Sequence, residues 1–390
     1  MNRRPYLTLA AAVAIAVAAC SPSESPAPSG SPAASSGASP GASPGATAAL
    51  TTIRVQLPGP IDGEFAGLIA AQKLGYFSDE NMSVTLIPGD VDPATRPAAF
   101  YSPGASGPEF TISDVTSVLA AREHSASDLV HIAQIFQRSG TVLLTWAKDG
   151  IKDTCGLVGK KIGIWAAPAD VDVNATLATL SSCPLAGASN YTRIDTGHDV
   201  AAFLNHSVDV TQAVTYDQLA QVLEATNPAT KAQYVPDDVV ALPLADRTAT
   251  LQDAVFASKA WLAGTGHRDE ATNFVRAVVR GWVYCRDHQE DCVQFTMQAT
   301  SGLGQSHTRW MINEVNALIW PSPDEIGTLD PIQWQQTVNL AKAAGVITKL
   351  PGIDAYDDSI VPEAIAILTG KDLAAVDYKK VPVAVAPGGK

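Results

Sequence analysis

Apolar and polar positions first alternate regularly just after the first fifty residues. Ile53 to Leu57 alternates as a short strand does, and Phe65 to Leu74 carries apolar residues at helical spacing. Gly75 ends that helix, and Ser83 to Ile87 alternates again. The order predicts a β-loop-α-β unit with parallel strands and a right-handed connection. Ligands of such units lie beyond the carboxyl ends of the strands, so we expect the loop Pro58–Phe65 to form one wall of a binding site.

Strand-like and helix-like segments then alternate through two successive series. The first series continues through strands at Glu109–Ile112, Leu129–Phe136 and Thr141–Trp146, with a helix over Val115–Ala121. The second has strands at Gly159–Trp165, Tyr191–Ile194, Val208–Thr215 and Val239–Leu244. After an apolar segment at Leu251–Ala257, helical spacing dominates to the C-terminus. This last section has too few strands for a sheet of its own, so it is expected to pack on the first series.

This order predicts an α/β protein of two lobes. Lobe 1 is expected to comprise residues 51–147 and 248–390, and lobe 2 residues 148–247. The chain would cross between them twice, near Ala147–Lys152 and Asp246–Gln252. Clefts between lobes favour small ligands, and hinge closure around the ligand is the expected motion.

The N-terminus has the pattern of an exported lipoprotein. Arg3 and Arg4 precede an apolar run, Leu7–Ala19, that is too short to span a bilayer. The run ends in small residues before Cys20, which resembles a bacterial lipobox. Residues 1–20 are therefore predicted to be a lipoprotein signal peptide with lipidation at Cys20; an ordinary signal peptide with a chance cysteine is the alternative.

Residues 21–50 are predicted to be a disordered tether. The stretch from Ser21 to Ala48 is almost wholly Ser, Pro, Ala and Gly, and only Glu24 is charged. Such a segment cannot bury a core and behaves as a flexible linker. We expect an exported protein, held to the cell membrane by a lipid anchor and facing the periplasm or the cell exterior.

Four cysteines follow Cys20 and indicate disulfides, because an exported chain matures in an oxidising compartment. They are Cys155, Cys183, Cys285 and Cys292. Three pairings can be drawn, and the local one, Cys155–Cys183 with Cys285–Cys292, is favoured because each pair falls within a short segment. Free thiols remain an alternative. Zinc is a weak one, because the chain has no CxxC motif and no His at ligand spacing, and no metal site is predicted.

The composition and the motifs of the chain argue against some classes of function. The chain has 390 residues, 46% of them hydrophobic and 17% charged, which fits a globular protein of two ordinary domains. A formal net charge of -13 argues against a nucleic-acid partner, which would require clustered Lys and Arg. The sequence has no GxSxG, HExxH or P-loop motif. A binding protein without catalytic residues or a cofactor is expected rather than an enzyme.

Several phrases together resemble the solute-binding proteins of bacterial ABC importers. They are Glu64-Phe65-Ala66-Gly67 followed by GYFSDENMSVTLIPG, LVGKKIGIW, VTYDQLAQVLE, GWVYCRDHQEDCV and MINEVNALIWPSP. The resemblance runs from about Ile53 to Tyr356 and is to the branch related to thiamine-pyrimidine synthases, alongside nitrate, taurine and riboflavin binders. It implies a periplasmic-binding-protein fold of the two-crossover type and a role in uptake. The implied partners are a permease and an ATPase, with the binding protein itself a monomer.

The chain departs from the family pattern at two places that bear on the ligand. The first loop reads Leu57-Pro58-Gly59-Pro60 with Glu64, where the family often has Trp and Gln. After Trp165 the chain continues with Ala166-Ala167-Pro168-Ala169-Asp170, where relatives commonly have glycines and an acidic residue. The resemblance therefore leaves the ligand open.

Nine residues are predicted to bind the ligand: Glu64, Phe65, Ser113, Asp114, Gln137, Trp165, Asp170, Tyr216 and Asp217. Phe65 and Trp165 would stack on a planar ring, and Asp114, Tyr216 and Asp217 would bond its edge. Core packing of Phe65, helix capping by Ser113 or Asp114, and a surface turn at residues 137–139 are the alternatives. Four other aromatic residues are expected to pack in the helical section: Trp282, Tyr284, Trp310 and Trp320.

The predicted function is capture of a small planar heterocycle, a thiamine-type pyrimidine or riboflavin, for import. Arg138 is the one cation near the candidate residues, which disfavours a sulfonate or nitrate ligand. The alternatives are sulfonate or nitrate binding, a pyrimidine-synthase-like enzyme that consumes a cofactor, and a ligand sensor.

Overall fold

Strands from both halves of the chain form two separate five-stranded sheets. The computed structural model describes residues 49–90, 98–101, 107–183, 191–244 and 246–390. The predictions for residues 1–48, including the signal peptide, Cys20 and most of the tether, lie outside the described residues. The first sheet has the order β2-β1-β3-β10-β4. Its strands are β1 (Thr51–Gln56), β2 (Met82–Ile87), β3 (Phe110–Ser113), β4 (Leu129–Gln134) and β10 (Ala254–Ser258).

The first sheet has the predicted parallel start. β1 pairs in parallel with β2 and β3, so the expected parallel pairing in the opening β-loop-α-β unit is confirmed. β10 enters between β3 and β4 and runs antiparallel to both. A strand from late in the chain therefore completes the sheet that the first strands begin.

The second sheet has the order β7-β6-β8-β5-β9. Its strands are β5 (Thr141–Trp146), β6 (Lys161–Ile164), β7 (Thr192–Asp195), β8 (Val210–Val214) and β9 (Val239–Pro243). β6 pairs in parallel with β7 and β8, whereas β5 runs antiparallel to β8 and β9.

β5 corrects the expected boundary between the lobes. The boundary was expected after residue 147, which would have left Thr141–Trp146 in lobe 1. Instead, β5 is fully buried between β8 and β9. The first crossover is thus residues 135–140, the described part of the second is residues 246–253, and lobe 2 begins with β5. Apolar alternation identifies a strand but not the sheet that it joins, and only the cross-strand pairing decides this.

Thirteen α-helices are among the described elements. They are α1 (Ala66–Lys73), α2 (Tyr76–Asp79), α3 (Ala98–Tyr101), α4 (Val115–His124), α5 (Val171–Ala178), α6 (Ala201–Leu204), α7 (Gln218–Glu224), α8 (Lys259–Leu262), α9 (His267–Asp287), α10 (Gln289–Ala299), α11 (Gln305–Ile319), α12 (Pro331–Ala343) and α13 (Ile360–Ile365). Gly75 adopts a φ of 76° between α1 and α2, which explains why the first helix stops there. Among the described helices, none is both long enough and apolar enough to cross a bilayer.

The C-terminal helices pack mainly on lobe 1, as expected. Phe274, Val278 and Trp282 of α9 share one hydrophobic core with Ile53 and Val55 of β1. Burial of each such side chain contributes about 1.5–3 kcal/mol, so this shared core accounts for the docking. Trp282 and Trp320 are core residues, as predicted for the aromatic residues of this section.

α11 also reaches lobe 2. Ile312 and Val315 pack in the lobe 1 core, whereas Trp310 packs against the lobe 2 cluster around Phe203. The indole Nε1 of Trp310 donates to the carbonyl of Thr215 at 2.9 Å. One helix therefore contacts both lobes on one side of the space between them.

The favoured cysteine pairing is confirmed. Cys155 bonds Cys183 within lobe 2, and Cys285 bonds Cys292 across the junction of α9 and α10. Each bridge closes a local loop, of 28 and 7 residues in sequence separation.

Candidate ligand-binding cleft

A cavity of about 590 Å³ lies between the two lobes, within the volume range of small-molecule sites. Its lobe 1 wall is the loop after β1, as expected, together with the start of α4. Its lobe 2 wall comes from the segments after β6, β7 and β8. Crossover residues and α11 complete the lining. The main polar and aromatic lining residues are Asp62, Glu64, Asp114, Thr116, Thr141, Trp165, Asp172, His198, Asp199, Tyr216, Asp217, Thr250, Gln252, Asp253 and His307.

The first loop turns tightly enough to present two carboxyl groups. Asp62 accepts a hydrogen bond from the backbone N–H of Glu64 at 2.9 Å and so caps the short 3₁₀ turn Gly63–Phe65. A Cβ at Gly63 would lie 2.8 Å from the Cβ of Met311, so glycine lets α11 approach this turn. The turn sends Phe65 into the core and leaves Asp62 and Glu64 on the cleft side.

Five of the nine predicted ligand-binding residues line this one cleft: Glu64, Asp114, Trp165, Tyr216 and Asp217. Asp114 also caps α4, because its Oδ1 accepts from the backbone N–H of Ser117 at 2.8 Å. Asp114 therefore both caps α4 and lines the cleft. The segment around Tyr216 reaches the cleft because it directly follows β8, the central strand of the second sheet.

The other four predicted residues lie outside the cleft lining. Phe65 is 1% exposed within the lobe 1 core, and Ser113 is buried at the end of β3. The side chain of Gln137 donates to the carbonyl of Gln134 at 2.7 Å within the first crossover. The Asp170 carboxylate accepts from Arg193 at 3.1 Å.

Arg138, the cation nearest the predicted site residues in the sequence, is not among the residues that line the cleft. Arg138 is exposed and donates to the carbonyl of Pro321 at 2.6 Å. Its neighbour Ser139 bonds Asp172 instead, at 3.0 Å.

Sequence reasoning missed the other ten of these lining residues: Asp62, Thr116, Thr141, Asp172, His198, Asp199, Thr250, Gln252, Asp253 and His307. Asp62 lies in the loop that was expected to form a wall, and Gln252 and Asp253 lie at the expected second crossing. The predicted positions of those two segments at the cleft could have indicated these residues. His307 lies on α11, and nothing in helical periodicity indicates that its side chain reaches the cleft.

Acidic side chains dominate the cleft. Seven carboxyl groups line it, those of Asp62, Glu64, Asp114, Asp172, Asp199, Asp217 and Asp253, with two histidines and, among the described lining residues, no Lys or Arg. Burial, together with the charge of Asp217, raises the pKa of Asp62 to about 7. Burial and the carboxylates of Asp253 and Asp62 raise the pKa of Glu64 well above its usual value.

Glu64 connects the two lobes and the second crossover. The Tyr216 hydroxyl donates to Glu64 Oε1 at 3.4 Å. The negative charge of Asp253, in the second crossover, acts on Glu64 and helps to raise its pKa. Burial and the nearby charge of Glu64 raise the pKa of Tyr216 well above its usual value, so its hydroxyl remains a donor. These three side chains come from lobe 1, lobe 2 and the crossover that joins them.

Asp172, on α5, accepts hydrogen bonds from both crossovers. It accepts from Ser139 Oγ of the first crossover and from the Thr250 hydroxyl of the second. Burial raises its pKa to about 6 despite these bonds. Gln252 adds a second connection, since it accepts from the Gly140 N–H at 2.7 Å and donates to the Thr141 hydroxyl at 2.8 Å. The floor of the cleft is therefore a hydrogen-bonded junction of the two crossovers.

Trp165 supplies an aromatic wall. Its backbone N–H donates to Gln212 Oε1 at 3.1 Å, and its ring lies 4.4 Å from that of His198, centroid to centroid, at 37°. The indole N–H is buried with no acceptor among the described residues. A buried donor without an acceptor costs free energy.

His307 bridges α11 and α7. Its Nδ1 lies 2.8 Å from Glu224 Oε1 and its Nε2 lies 3.3 Å from Asp217 Oδ1. Burial opposes the positive charge, but the hydrogen bonds to these two carboxylates outweigh it and raise the pKa to about 10. Within the described part of the chain, no group of three His, Cys, Asp or Glu residues could hold a metal ion. The cleft offers acceptors and negative charge.

Two α/β lobes, two crossovers and a cleft at their junction define the periplasmic-binding-protein fold. A Candida albicans gene product described as having the generic form of that fold is similar, with a TM-score of 0.53 at 14% identity over 86% of this chain and 98% of that one. The family model described as NMT1/THI5 like matches residues 62–292, more than half of the chain. The protein belongs to the NMT1/THI5-like family.

Two further solved structures show that the same fold carries different functions. A putative periplasmic sulfonate-binding protein of an ABC transporter from Methylobacillus flagellatus has a TM-score of 0.60 at 14% identity, over 83% of this chain and 96% of that one. The desulfurization enzyme DSZB has a TM-score of 0.54 at 11% identity, over 81% and 99%. A search of the curated proteins finds no match. At these identities the likeness concerns the fold alone.

Proposed function

We propose that the protein is the substrate-binding component of an ABC importer and captures a small planar nitrogen heterocycle with a protonated or amino-bearing edge. The observation that carries the proposal is the cleft itself, about 590 Å³ in volume and lined by seven carboxyl groups and the ring of Trp165. Family membership and the fold are consistent with this role.

The charge of the lining favours a ligand that donates hydrogen bonds. Carboxylates accept from N–H groups, and such charge-assisted bonds are roughly twice as strong as neutral ones. A sulfonate or nitrate would meet carboxylates and, in the described lining, no Lys or Arg. We therefore propose a nitrogen heterocycle, rather than an anionic solute, as the ligand.

Of the two heterocycles considered, a thiamine-type pyrimidine fits the charge better than riboflavin. Its exocyclic amino group and basic ring nitrogen would face Asp217, Asp114 or Glu64, whereas the flavin edge presents mainly carbonyl acceptors. Trp165 would cover one face of the ring, and aromatic stacking contributes about 0.5–1.5 kcal/mol beyond burial. A small rotation of the indole would let its N–H bond a ring nitrogen.

The remaining parts of the role are proposed with it. Export and lipid attachment at Cys20 would keep the protein at the cell membrane, where a permease and an ATPase would receive the ligand. The two crossovers would act as the hinge, and the protein would work as a monomer.

A binding panel tests this function. Purified protein lacking residues 1–48 would be titrated with 4-aminopyrimidines, thiamine, riboflavin, taurine and nitrate by calorimetry and thermal shift. We expect amino-bearing pyrimidines to stabilise the fold by about 2.7 kcal/mol at a hundredfold excess over Kd. The variant Asp217→Asn should lose this stabilisation, and Asp149→Asn, which removes an exposed carboxylate outside the cleft, should keep it. Stabilisation by taurine or nitrate alone would refute the proposal.

A further inference from the structure

We propose that residues 380–390, which we call the C-terminal strap, hold lobe 2 against α11 and so keep the cleft closed in the ligand-free protein. The strap leaves the lobe 1 core, follows α11 and ends against α7 of lobe 2. It thereby adds a further connection between the lobes to the two crossovers. This restraint acts whatever the ligand is, so it goes beyond the proposed function.

The start of the strap is fixed to lobe 1 and α11. Leu373, a few residues before the strap, is buried in the lobe 1 core. Lys380 Nζ then lies 2.8 Å from Oε1 of Glu314, a buried residue of α11. The carbonyl of Val381 accepts from the side chain of Asn313, also on α11, at 2.9 Å. Because a buried carboxylate that loses its cation destabilises the fold, the Lys380 ion pair anchors this end of the strap.

The far end of the strap packs on lobe 2. The side chain of Val385 packs against the lobe 2 core that β5 and β8 share. Its carbonyl accepts at 3.4 Å from the side chain of Gln233, which lies in lobe 2 between α7 and β9. Gly389 is buried, and a Cβ there would lie 3.0 Å from Glu224 Oε2 of α7 and 3.1 Å from the Cβ of His307 on α11. The strap therefore ends between a helix of lobe 2 and α11.

The beginning of α11 is shaped to receive the strap. Ser306 Oγ accepts from the Ala386 N–H at 2.9 Å, and the Ser306 N–H donates to the backbone oxygen of Lys390 at 3.3 Å. Gly304 precedes α11 with a φ of -80°, which any residue adopts. A Cβ on Gly304 would nevertheless collide with the carbonyl oxygen of Gly389. The glycine is therefore explained by the close approach of the strap and not by backbone conformation.

The strap contacts both sides of a closed cleft. Tyr216 of lobe 2 donates to Glu64 of lobe 1 at 3.4 Å, so the two lobes touch in this structure. Opening that separates α7 from α11 must break the contacts of the strap with one of them, because it packs on both. The strap therefore stabilises the closed arrangement before any ligand binds, and the ligand has to supply less of the free energy of closure.

Distances between spin labels test this restraint. Lys73→Cys at the end of α1 in lobe 1 and Asp149→Cys after β5 in lobe 2 place the labels at exposed positions. Double electron–electron resonance on the ligand-free protein should give one short distance. Val385→Asp, which removes the apolar contact with lobe 2, should add a longer distance, and so should deletion of residues 380–390. Val381→Asp makes the same substitution at an exposed valine of the strap that binds α11 through its carbonyl, and it should match the unmodified protein.

A second variant disturbs the strap without changing it. Gly304→Ala should displace the end of the strap from α11 and also add the longer distance. Thermal unfolding checks the fold of each variant, and the two point variants decide the question even if the deletion does not fold. A long distance already present in the unmodified protein overturns the proposal, as does an unchanged short distance in both Val385→Asp and Gly304→Ala. Equal opening in Val381→Asp would assign the effect to the added charge and would overturn it as well.

Discussion

Asp62 is buried beside other carboxyl groups in the cleft, and its charged form therefore lowers the stability of the folded protein. The side chain is 5% exposed, and its pKa is about 7 in the folded protein. In the unfolded chain an Asp titrates near 3.9. The folded state therefore binds the proton more tightly, and the protein loses stability as pH rises from the unfolded value through about 7.

We predict that Asp62→Asn stabilises the protein at pH 8 by about 1–3 kcal/mol, because the amide removes a buried charge and can still accept from the Glu64 N–H. The gain should be smaller at pH 5, where the Asp62 carboxyl group of the folded protein is already protonated. Urea unfolding at both pH values measures it. Asp149→Asn is the exposed control and should change the free energy of unfolding by less than about 0.5 kcal/mol at either pH. A loss of stability at pH 8 would contradict the assignment.

At the scale of elements, two glycines allow α1 and α9 to touch. A Cβ on Gly281 would lie 1.9 Å from the carbonyl oxygen of Gly67, and a Cβ on Gly67 would lie 2.4 Å from the Trp282 ring. Glycine weakens a helix interior by about 1 kcal/mol relative to alanine. Its presence in the long helix α9 is therefore explained by packing against α1, the helix that follows the first cleft loop.

We predict that Gly281→Ala destabilises the protein by about 1–3 kcal/mol, although alanine is the better helix former, because the methyl group would meet backbone that cannot move aside. Chemical unfolding measures the change. Asp269→Ala places the same residue at an exposed position of α9 and should be nearly neutral. A stabilised Gly281→Ala protein would mean that the two helices do not touch.

At the scale of the whole molecule, α11 and His307 connect the lobes beside the cleft. The histidine is 6% exposed and lies between Asp217 and Glu224 of lobe 2. Its pKa is raised to about 10, so the stabilisation that it provides is fully present below about pH 6.5 and is lost as pH rises through about 10. Any opening of the cleft that separates α11 from α7 must break these contacts.

We predict that His307→Gln lowers the free energy of unfolding by about 2–3 kcal/mol at pH 6, because two partly buried carboxylates lose their cation. The difference from the unmodified protein should shrink toward pH 10. Urea unfolding at several pH values tests this, with His288→Gln as the exposed control. A difference that is constant with pH would exclude a charged His307.

The sequence predicted much of the fold at the level of elements. Strands and helices appeared where apolar spacing placed them, with shifts of a few residues at their ends. A short helix, α3, lies between β2 and β3, where no element was predicted. The candidate site was predicted less completely, because a ligand-binding residue needs a position in space as well as a suitable side chain. Phe65 and Trp165 are both aromatic residues near strand ends, yet one lies in the core and the other at the cleft.

The amino-acid sequence alone predicted the α/β class, the parallel start of the first sheet and the helical C-terminal section, and it favoured the local disulfide pairing. These features depend on periodicity, capping and loop length, which act between residues close in the chain. The three-dimensional fold was needed to place β5 in lobe 2 and to bring carboxyl groups from residues 62 to 253 to one cleft. Strand pairing and charge convergence join segments far apart in sequence, and no local pattern records which of them will meet.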